Sequence, residues 1–276
     1  MRTVLTLVVL ILLQIPMAAL AQQQEPRLMI VFDASGSMWG KLPGSSLTKF
    51  QLASAALRRW LPKVPGQVRS GLIGFGGGAS GCGQVDYLAP LDKHDTERVV
   101  LPLGKWNPRG KGPIVGALAR SGRTLAGKGP AVIIVVHDGA DNCGGDPCAM
   151  ARQLKKTIPG LKIHLAGVGL KSEAAGAMAC VARETGGKQF NATAAENVEP
   201  IIKQIVTLAR AQLLSASPRA TRPRLKQGPR RAPRRQFAGE GLLATLGFAK
   251  SDLPLGIAMN WRLRALPKAS SKATGA

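Results

Sequence analysis

The amino-acid sequence predicts an α/β fold: a doubly wound, mostly parallel sheet with helices on both faces and one antiparallel edge strand. The aliphatic runs at 28–32 and 131–136 are continuous, which is typical of parallel strands buried on both faces. Stretches with helical spacing of apolar residues separate such runs. The chain has 276 residues, 45% of them hydrophobic, which allows a substantial core and excludes collagen, a coiled coil and a wholly disordered chain.

The first half of the predicted domain contains three strands and three helices. Pro62 ends the first helix, and the glycines at 76–78 form a turn that makes the second and third strands an antiparallel pair. The predicted elements are strands at 28–32, 68–75 and 84–88, and helices at 48–61, 95–103 and 113–125.

The second half continues the alternation. Pro147 occupies a first helical position, and Gly186 follows the end of a helix, as these residues commonly do. The predicted elements are strands at 131–136, 161–168 and 188–191, and helices at 147–156, 172–185 and 195–213. Ligands of such sheets bind at the carboxyl ends of the strands, so the loops that follow them are the places to search.

Residues 1–21 have the features of a secretory signal: Arg2, an aliphatic run at 4–13 and a small-x-small cleavage site that ends at Ala21. The run is too short to span a bilayer. We therefore expect cleavage after Ala21, no later transmembrane segment, and a periplasmic or secreted protein. An uncleaved membrane anchor is the alternative.

The loop after the first strand carries oxygen ligands in the pattern D-x-S-x-S. Asp33, Ser35 and Ser37 can converge on one hard cation, and Asp138 follows the fourth strand, where a further ligand would be needed. A serine-rich turn that caps the next helix is the alternative explanation of the motif.

Three strings in this chain resemble the von Willebrand factor type A (VWA) domain, which has a Rossmann-like fold, and in particular its secreted bacterial subgroup. They are DASGSMWG at 33–40, NPRGKGPI at 107–114 and DGADNCGGDPC at 138–148, and the resemblance covers about 27–212. The family's metal-ion-dependent adhesion site (MIDAS) joins D-x-S-x-S to a Thr of a second loop and an Asp of a third. Its cation has an open position that an acidic side chain of a partner protein fills.

The resemblance implies that Asp33, Ser35, Ser37 and Asp138 hold Mg²⁺, with Mn²⁺ or Ca²⁺ as alternatives. Gly112 stands where the family has its Thr, so one ligand oxygen is missing. A water molecule in its place would give weak binding, and loss of metal binding is the other outcome.

Trp39 and Asn142 lie beside the predicted ligands and are candidate contacts for the partner. For Trp39 the alternative is a ring folded over the first helix.

Four cysteines, an even number in an exported chain, predict two disulfides. We favour Cys82–Cys143 with Cys148–Cys180, because the loops of the first pair should lie at one end of the sheet and the second pair starts or lines neighbouring helices. A Cys143–Cys148 bridge and a four-cysteine zinc site are the alternatives.

No motif for catalysis is present in the sequence. It contains neither G-x-S-x-G nor a phosphate-binding P-loop, and its histidines form no H-x-x-x-H pair. We therefore predict that the protein is not an enzyme and has no small-molecule substrate.

The C-terminal region differs in composition from the domain at 22–213. The segment 214–236 is rich in proline and basic residues, which predicts a disordered linker, and 237–276 has the pattern of a short β-hairpin. The candidate polyanion-binding residues are Arg219, Arg222, Arg224, Lys226, Arg230, Arg231, Arg234 and Arg235.

The predicted function is divalent-cation-dependent protein binding or adhesion by an exported VWA domain with a degenerate MIDAS. The alternative is a metal-independent scaffold that binds an anionic envelope surface or another polyanion through its basic tail, in keeping with a formal net charge of +23. Export makes nucleic acid an unsuitable natural partner.

Overall fold

The computed structural model describes residues 25–78, 81–127 and 129–216. The predicted signal segment at 1–21, the C-terminal hairpin at 237–276 and nearly all of the linker at 214–236 lie outside these residues. The assignments made there, including the eight candidate polyanion-binding residues, therefore stay predictions.

The described residues form one six-stranded sheet with the order β3-β2-β1-β4-β5-β6. All neighbouring strands are parallel except β2 and β3, which are antiparallel. The strands are β1 (Arg27–Asp33), β2 (Arg69–Phe75), β3 (Val85–Lys93), β4 (Ala131–His137), β5 (Lys162–Val168) and β6 (Gln189–Ala192). The predicted fold class, including the antiparallel edge strand, is confirmed.

Six α-helices connect and cover the strands. They are α1 (Lys49–Trp60), α2 (Thr96–Val100), α3 (Ile114–Leu125), α4 (Pro147–Thr157), α5 (Ser172–Thr185) and α6 (Val198–Ala216). Short 3₁₀ turns lie at Gly36–Trp39, Leu61–Lys63, Leu101–Lys105 and Ala195–Asn197. Within the described part of the chain, no helix has the length and apolar content that crossing a bilayer requires.

Two elements differ from the predictions. The predicted helix at 95–103 is divided into α2 and a 3₁₀ turn, and Pro102 lies in the first turn of the second piece. Proline lacks the N–H that would continue the α-helical hydrogen bonds, so the α-helix ends before it. Strand β3 extends to Lys93 rather than to residue 88, because this half-exposed edge strand continues its pairing with the start of β2.

The buried core consists of two layers, one on each face of the sheet. Side chains of β1 alternate between them: Leu28, Ile30 and Phe32 belong to the layer under α1 and α6, whereas Met29 and Val31 belong to the layer under α3, α4 and α5. Residues 28–32 of β1 are buried, as their continuous apolar sequence predicts, and the charged residues at its two ends, Arg27 and Asp33, are buried as well.

The four cysteines form two disulfides in the structure, Cys82–Cys143 and Cys148–Cys180, which is the favoured pairing. The first joins the loop before β3 to the loop after β4. The second ties the start of α4 to α5, and Cys180 is nearly buried.

Removal of the helix-to-helix bridge tests its share of the stability. The bridge closes a loop across a sequence separation of 32 residues, and its loss frees the unfolded chain. The double substitution Cys148→Ala/Cys180→Ala should therefore lower the free energy of unfolding by about 2–4 kcal/mol. Denaturant unfolding of the oxidised wild type and of the variant measures this difference, and equal stabilities would contradict it.

Candidate metal centre

The predicted ligands meet at the carboxyl ends of two neighbouring strands. β1 ends at Asp33, β4 ends at His137 with Asp138 next, and the two strands pair in parallel with Phe32 opposite Val136. From β1 the chain continues to one edge of the sheet, and from β4 to the other. The site therefore lies at the topological switch point, where ligands of open α/β sheets bind.

Hydrogen bonds connect the four predicted ligands in a row. The backbone N–H of Ser35 donates to Asp33 Oδ1 at 2.6 Å, and the hydroxyls of Ser35 and Ser37 are 3.1 Å apart. The Ser37 hydroxyl donates to Asp138 Oδ1 at 2.7 Å. The 3₁₀ turn that starts at Gly36 reverses the chain locally, so that the Ser37 hydroxyl reaches Asp138 at the end of the neighbouring strand β4.

Burial places an electrostatic cost on the two carboxylates. Asp33 and Asp138 are 1% and 7% exposed. Burial raises the pKa of Asp33 to about 7, and the charge of Asp138 acts in the same direction, whereas hydrogen bonds from Ser35 and from the backbone of Asp138 oppose the rise. Two buried carboxyl groups this close require a nearby positive charge if both are to ionise.

One cationic side chain reaches this pair. Lys49, the first residue of α1, places its Nζ 2.8 Å from Asp138 Oδ2, and the side chains are 15% and 1% exposed. The sequence analysis missed this residue. The available signal was its position, because a lysine in the first turn of a helix lies unfavourably against the helix dipole.

The second loop, which carries Gly112, lies against the first. The N–H of Gly36 donates to Gly110 O at 2.9 Å, and the N–H of Arg109 donates to Ala34 O at 3.1 Å. A β-carbon built on Gly112 would lie 3.8 Å from Ser35 Cβ, an ordinary contact distance. A β-carbon at position 112 therefore lies beside a predicted ligand residue without a clash.

The third loop holds the second in place. Asn142 Oδ1 accepts from the N–H of Gly112 at 2.7 Å, so this predicted contact residue also positions the loop. Asp141, which the sequence analysis did not single out, accepts from the N–H of Val115 in the first turn of α3 and from the N–H of Cys143. The disulfide between Cys143 and Cys82 also ties the third loop to the loop between β2 and β3.

Trp39 is exposed beside the centre. Its side chain is 59% exposed, so the ring does not fold down over the first helix. Trp39 borders an open groove together with Gly36, Asn107, Pro108 and Arg109. Arg109 is the charged residue among those that border this groove.

The donor set fits a hard divalent cation. It offers two carboxylates and two hydroxyls, which are the oxygen ligands that Mg²⁺, Mn²⁺ and Ca²⁺ prefer. Among the described residues there is no group of three or more His, Cys, Asp or Glu side chains that could hold a metal ion, so the proposed donor set includes the two serine hydroxyls.

The chain is similar in sequence to a protein of Bacillus subtilis. No known family profile matches the chain. The uncharacterized protein YwmC of Bacillus subtilis (strain 168) is 27% identical over 186 residues, which are 63% of this chain and 80% of that protein.

Three solved structures are similar to the described domain. The von Willebrand factor type A protein from Catenulispora acidiphila has a TM-score of 0.54 at 17% identity, covering 67% of this chain and 43% of that one. The vWF domain of the type V pili tip protein Mfa5 from Porphyromonas gingivalis has a TM-score of 0.53 at 13% identity, covering 68% and 96%. Proximal thread matrix protein 1 from the mussel byssus, with a zinc-occupied MIDAS motif, has a TM-score of 0.52 at 20% identity, covering 67% and 46%. At these identities the likeness establishes the fold: the described domain has the fold of von Willebrand factor type A domains.

Proposed function

We propose that this protein is an exported, non-enzymatic binding module that holds a divalent cation between β1 and β4 and uses it to bind a carboxylate of a partner protein. The observation that carries the proposal is the convergence of Asp33, Ser35, Ser37 and Asp138 at one switch point. When bound, the cation supplies a positive charge with a free coordination position for an anionic oxygen. Mg²⁺ is the first candidate, and the zinc in the similar mussel protein supports a divalent ion in general.

The chain's own residues would contribute to partner binding around that position. Trp39 offers an exposed aromatic surface, and Arg109 lies on the same groove and favours a partner segment with negative charge. The two disulfides support the proposed location, because such bonds persist in oxidising compartments outside the cytoplasm.

Calorimetric titration of the full chain with Mn²⁺ and Mg²⁺ tests the metal centre. We expect Asp33→Ala to weaken binding by at least about tenfold, because it removes a buried carboxylate ligand. Gly112→Thr should strengthen binding by about tenfold, because it adds a hydroxyl oxygen at a position where a β-carbon meets no clash. Gly112→Ala, which adds a β-carbon without an oxygen, is the control and should bind no more tightly than the wild type does. Absence of binding by the wild type would refute the proposal, whether or not Gly112→Thr binds.

The pKa of Asp33 predicts how stability depends on pH without divalent cations. This pKa is about 7 in the folded protein, whereas the reference value, which we take for the unfolded chain, is 3.8. Between these two pH values the folded state holds the proton more tightly than the unfolded state does, so the folded protein loses stability as the pH rises. The side chain introduced by Asp33→Asn stays neutral at every pH. In EDTA at pH 8, this variant should have a free energy of unfolding higher than that of the wild type by up to about 4 kcal/mol, and at pH 4 the two should be equal.

Denaturant unfolding at the two pH values measures this difference. Burial lowers the pKa of His94, His137 and His164, and this acts alike on both proteins, so it cancels in the comparison. An Asp33→Asn variant that is less stable than the wild type at pH 8 would show that Asp33 is fully compensated as an anion in the metal-free protein.

The contact with a partner can be tested by capture from envelope extracts. Proteins retained by the wild type in Mg²⁺ should be released by EDTA and should not be retained by Trp39→Ala. The matched control is Leu101→Ala, because Leu101 is 58% exposed and lies outside the residues that border the groove. Equal retention by the Trp39→Ala and Leu101→Ala variants would exclude Trp39 from the contact.

A further inference from the structure

The ion pair between Lys49 and Asp138 is an unusual feature of the metal centre. Asp138 uses both of its oxygens within the protein: Oδ1 accepts from Ser37, and Oδ2 lies 2.8 Å from the ammonium of Lys49. The carboxylate is almost fully buried, and the ammonium is largely so. A cation that belongs to the chain therefore already lies on a predicted metal ligand.

The path of the Lys49 side chain is shaped by glycines. A β-carbon built on Gly169, in the loop after β5, would lie 3.1 Å from Lys49 Cε, and one built on Gly40 would lie 3.7 Å from the same atom. Gly169 also has a φ of 74°, which side chains rarely adopt. The aliphatic part of the lysine thus passes between two positions without side chains, and a residue with a β-carbon at 169 would crowd it.

The position of Lys49 in its helix is electrostatically unfavourable on its own. Thr48 caps α1 through a capping box with Gln51, so the helix start does not depend on the lysine side chain. A cation in the first turn faces the positive end of the helix dipole. The close contact with Asp138 offsets this cost, which indicates that the ammonium is placed for the carboxylate rather than for the helix.

We propose that the Lys49 ammonium is the built-in counter-ion of this centre, and that a divalent cation binds Asp138 in competition with it. The inference rests on the proposed metal binding and adds a residue that limits it. A divalent cation on Asp138 would meet the ammonium at the same carboxylate, where like charges repel strongly because the site is buried. The competition weakens metal binding independently of the missing oxygen at position 112.

The test is a calorimetric titration of the full-length wild type, Lys49→Met and Lys41→Met with MnCl₂. Lys41→Met is the matched control, because Lys41 is exposed in the segment that precedes α1 and its removal changes the net charge equally. We expect Lys49→Met to bind Mn²⁺ at least about tenfold more tightly than the wild type, since a buried charge repulsion is removed, and Lys41→Met to bind as the wild type does. In EDTA, Lys49→Met should have a lower Tm than the wild type. Saturating Mn²⁺ should raise the Tm of Lys49→Met by more than it raises the Tm of the wild type.

The outcomes separate this inference from the proposed function. If the wild type binds Mn²⁺ and Lys49→Met binds equally or more weakly, the competition is overturned and the metal centre stands. If only Lys49→Met binds, the inference holds and the wild-type protein is not a cation-dependent module. If neither variant nor wild type binds, both are overturned. If Lys41→Met tightens Mn²⁺ binding as much as Lys49→Met does, the effect is one of general charge, and the competition is also overturned.

A second measurement needs no substitution at position 49. Reductive methylation of the wild-type protein, read by peptide mass spectrometry, reports the accessibility of each lysine amine. In EDTA the Lys49 amine should be protected, and MgCl₂ should increase its labelling with the same midpoint as the rise in Tm, while Lys41 labelling stays constant. Unchanged protection of Lys49 at Mg²⁺ concentrations that raise the Tm would overturn the competition.

Discussion

The structure around the switch point depends on the burial of two carboxyl groups at the ends of adjacent strands. Asp33 and Asp138 cannot both be charged in this environment without compensation, as the raised pKa of Asp33 shows. The serine turn supplies hydroxyls, and Lys49 supplies a positive charge. The buried carboxyl groups that would bind a cation are therefore also the groups whose burial costs folding stability. This is expected where a site keeps charged groups in a protein core.

The loops around the centre are held by contacts that do not require a metal. Asn142 binds the backbone of Gly112, Asp141 binds the first turn of α3, and the Cys82–Cys143 bridge joins two of the loops. These contacts fix the backbone at position 112 although the residue there offers no side-chain oxygen. The centre is therefore preorganised through its backbone, and its chemistry depends on which side chains and ions enter it.

Local patterns were sufficient to predict the sheet but not the full site. The strands β1 and β4 were predictable because their residues are continuously apolar, and the position of Asp33 followed from where β1 ends. The first-turn position of Lys49 was a signal in the sequence, but its contact with Asp138 was not predictable, because the two residues are 89 positions apart. The division of the helix at Pro102 was predictable in principle, since proline cannot continue an α-helical hydrogen-bond pattern.

The absence of a side-chain oxygen at position 112 and the presence of Lys49 have related physical consequences. A carboxylate pair without any internal cation would destabilise the metal-free fold, so such a domain would depend on metal to remain folded. Here the ammonium carries part of that burden through Asp138, while Asp33 can keep its proton up to a pH of about 7. The metal-free protein therefore has internal compensation for part of its buried negative charge. A cation that binds such a site adds only the difference between its own interactions and those it replaces, and this difference, rather than the number of ligand oxygens alone, sets its affinity.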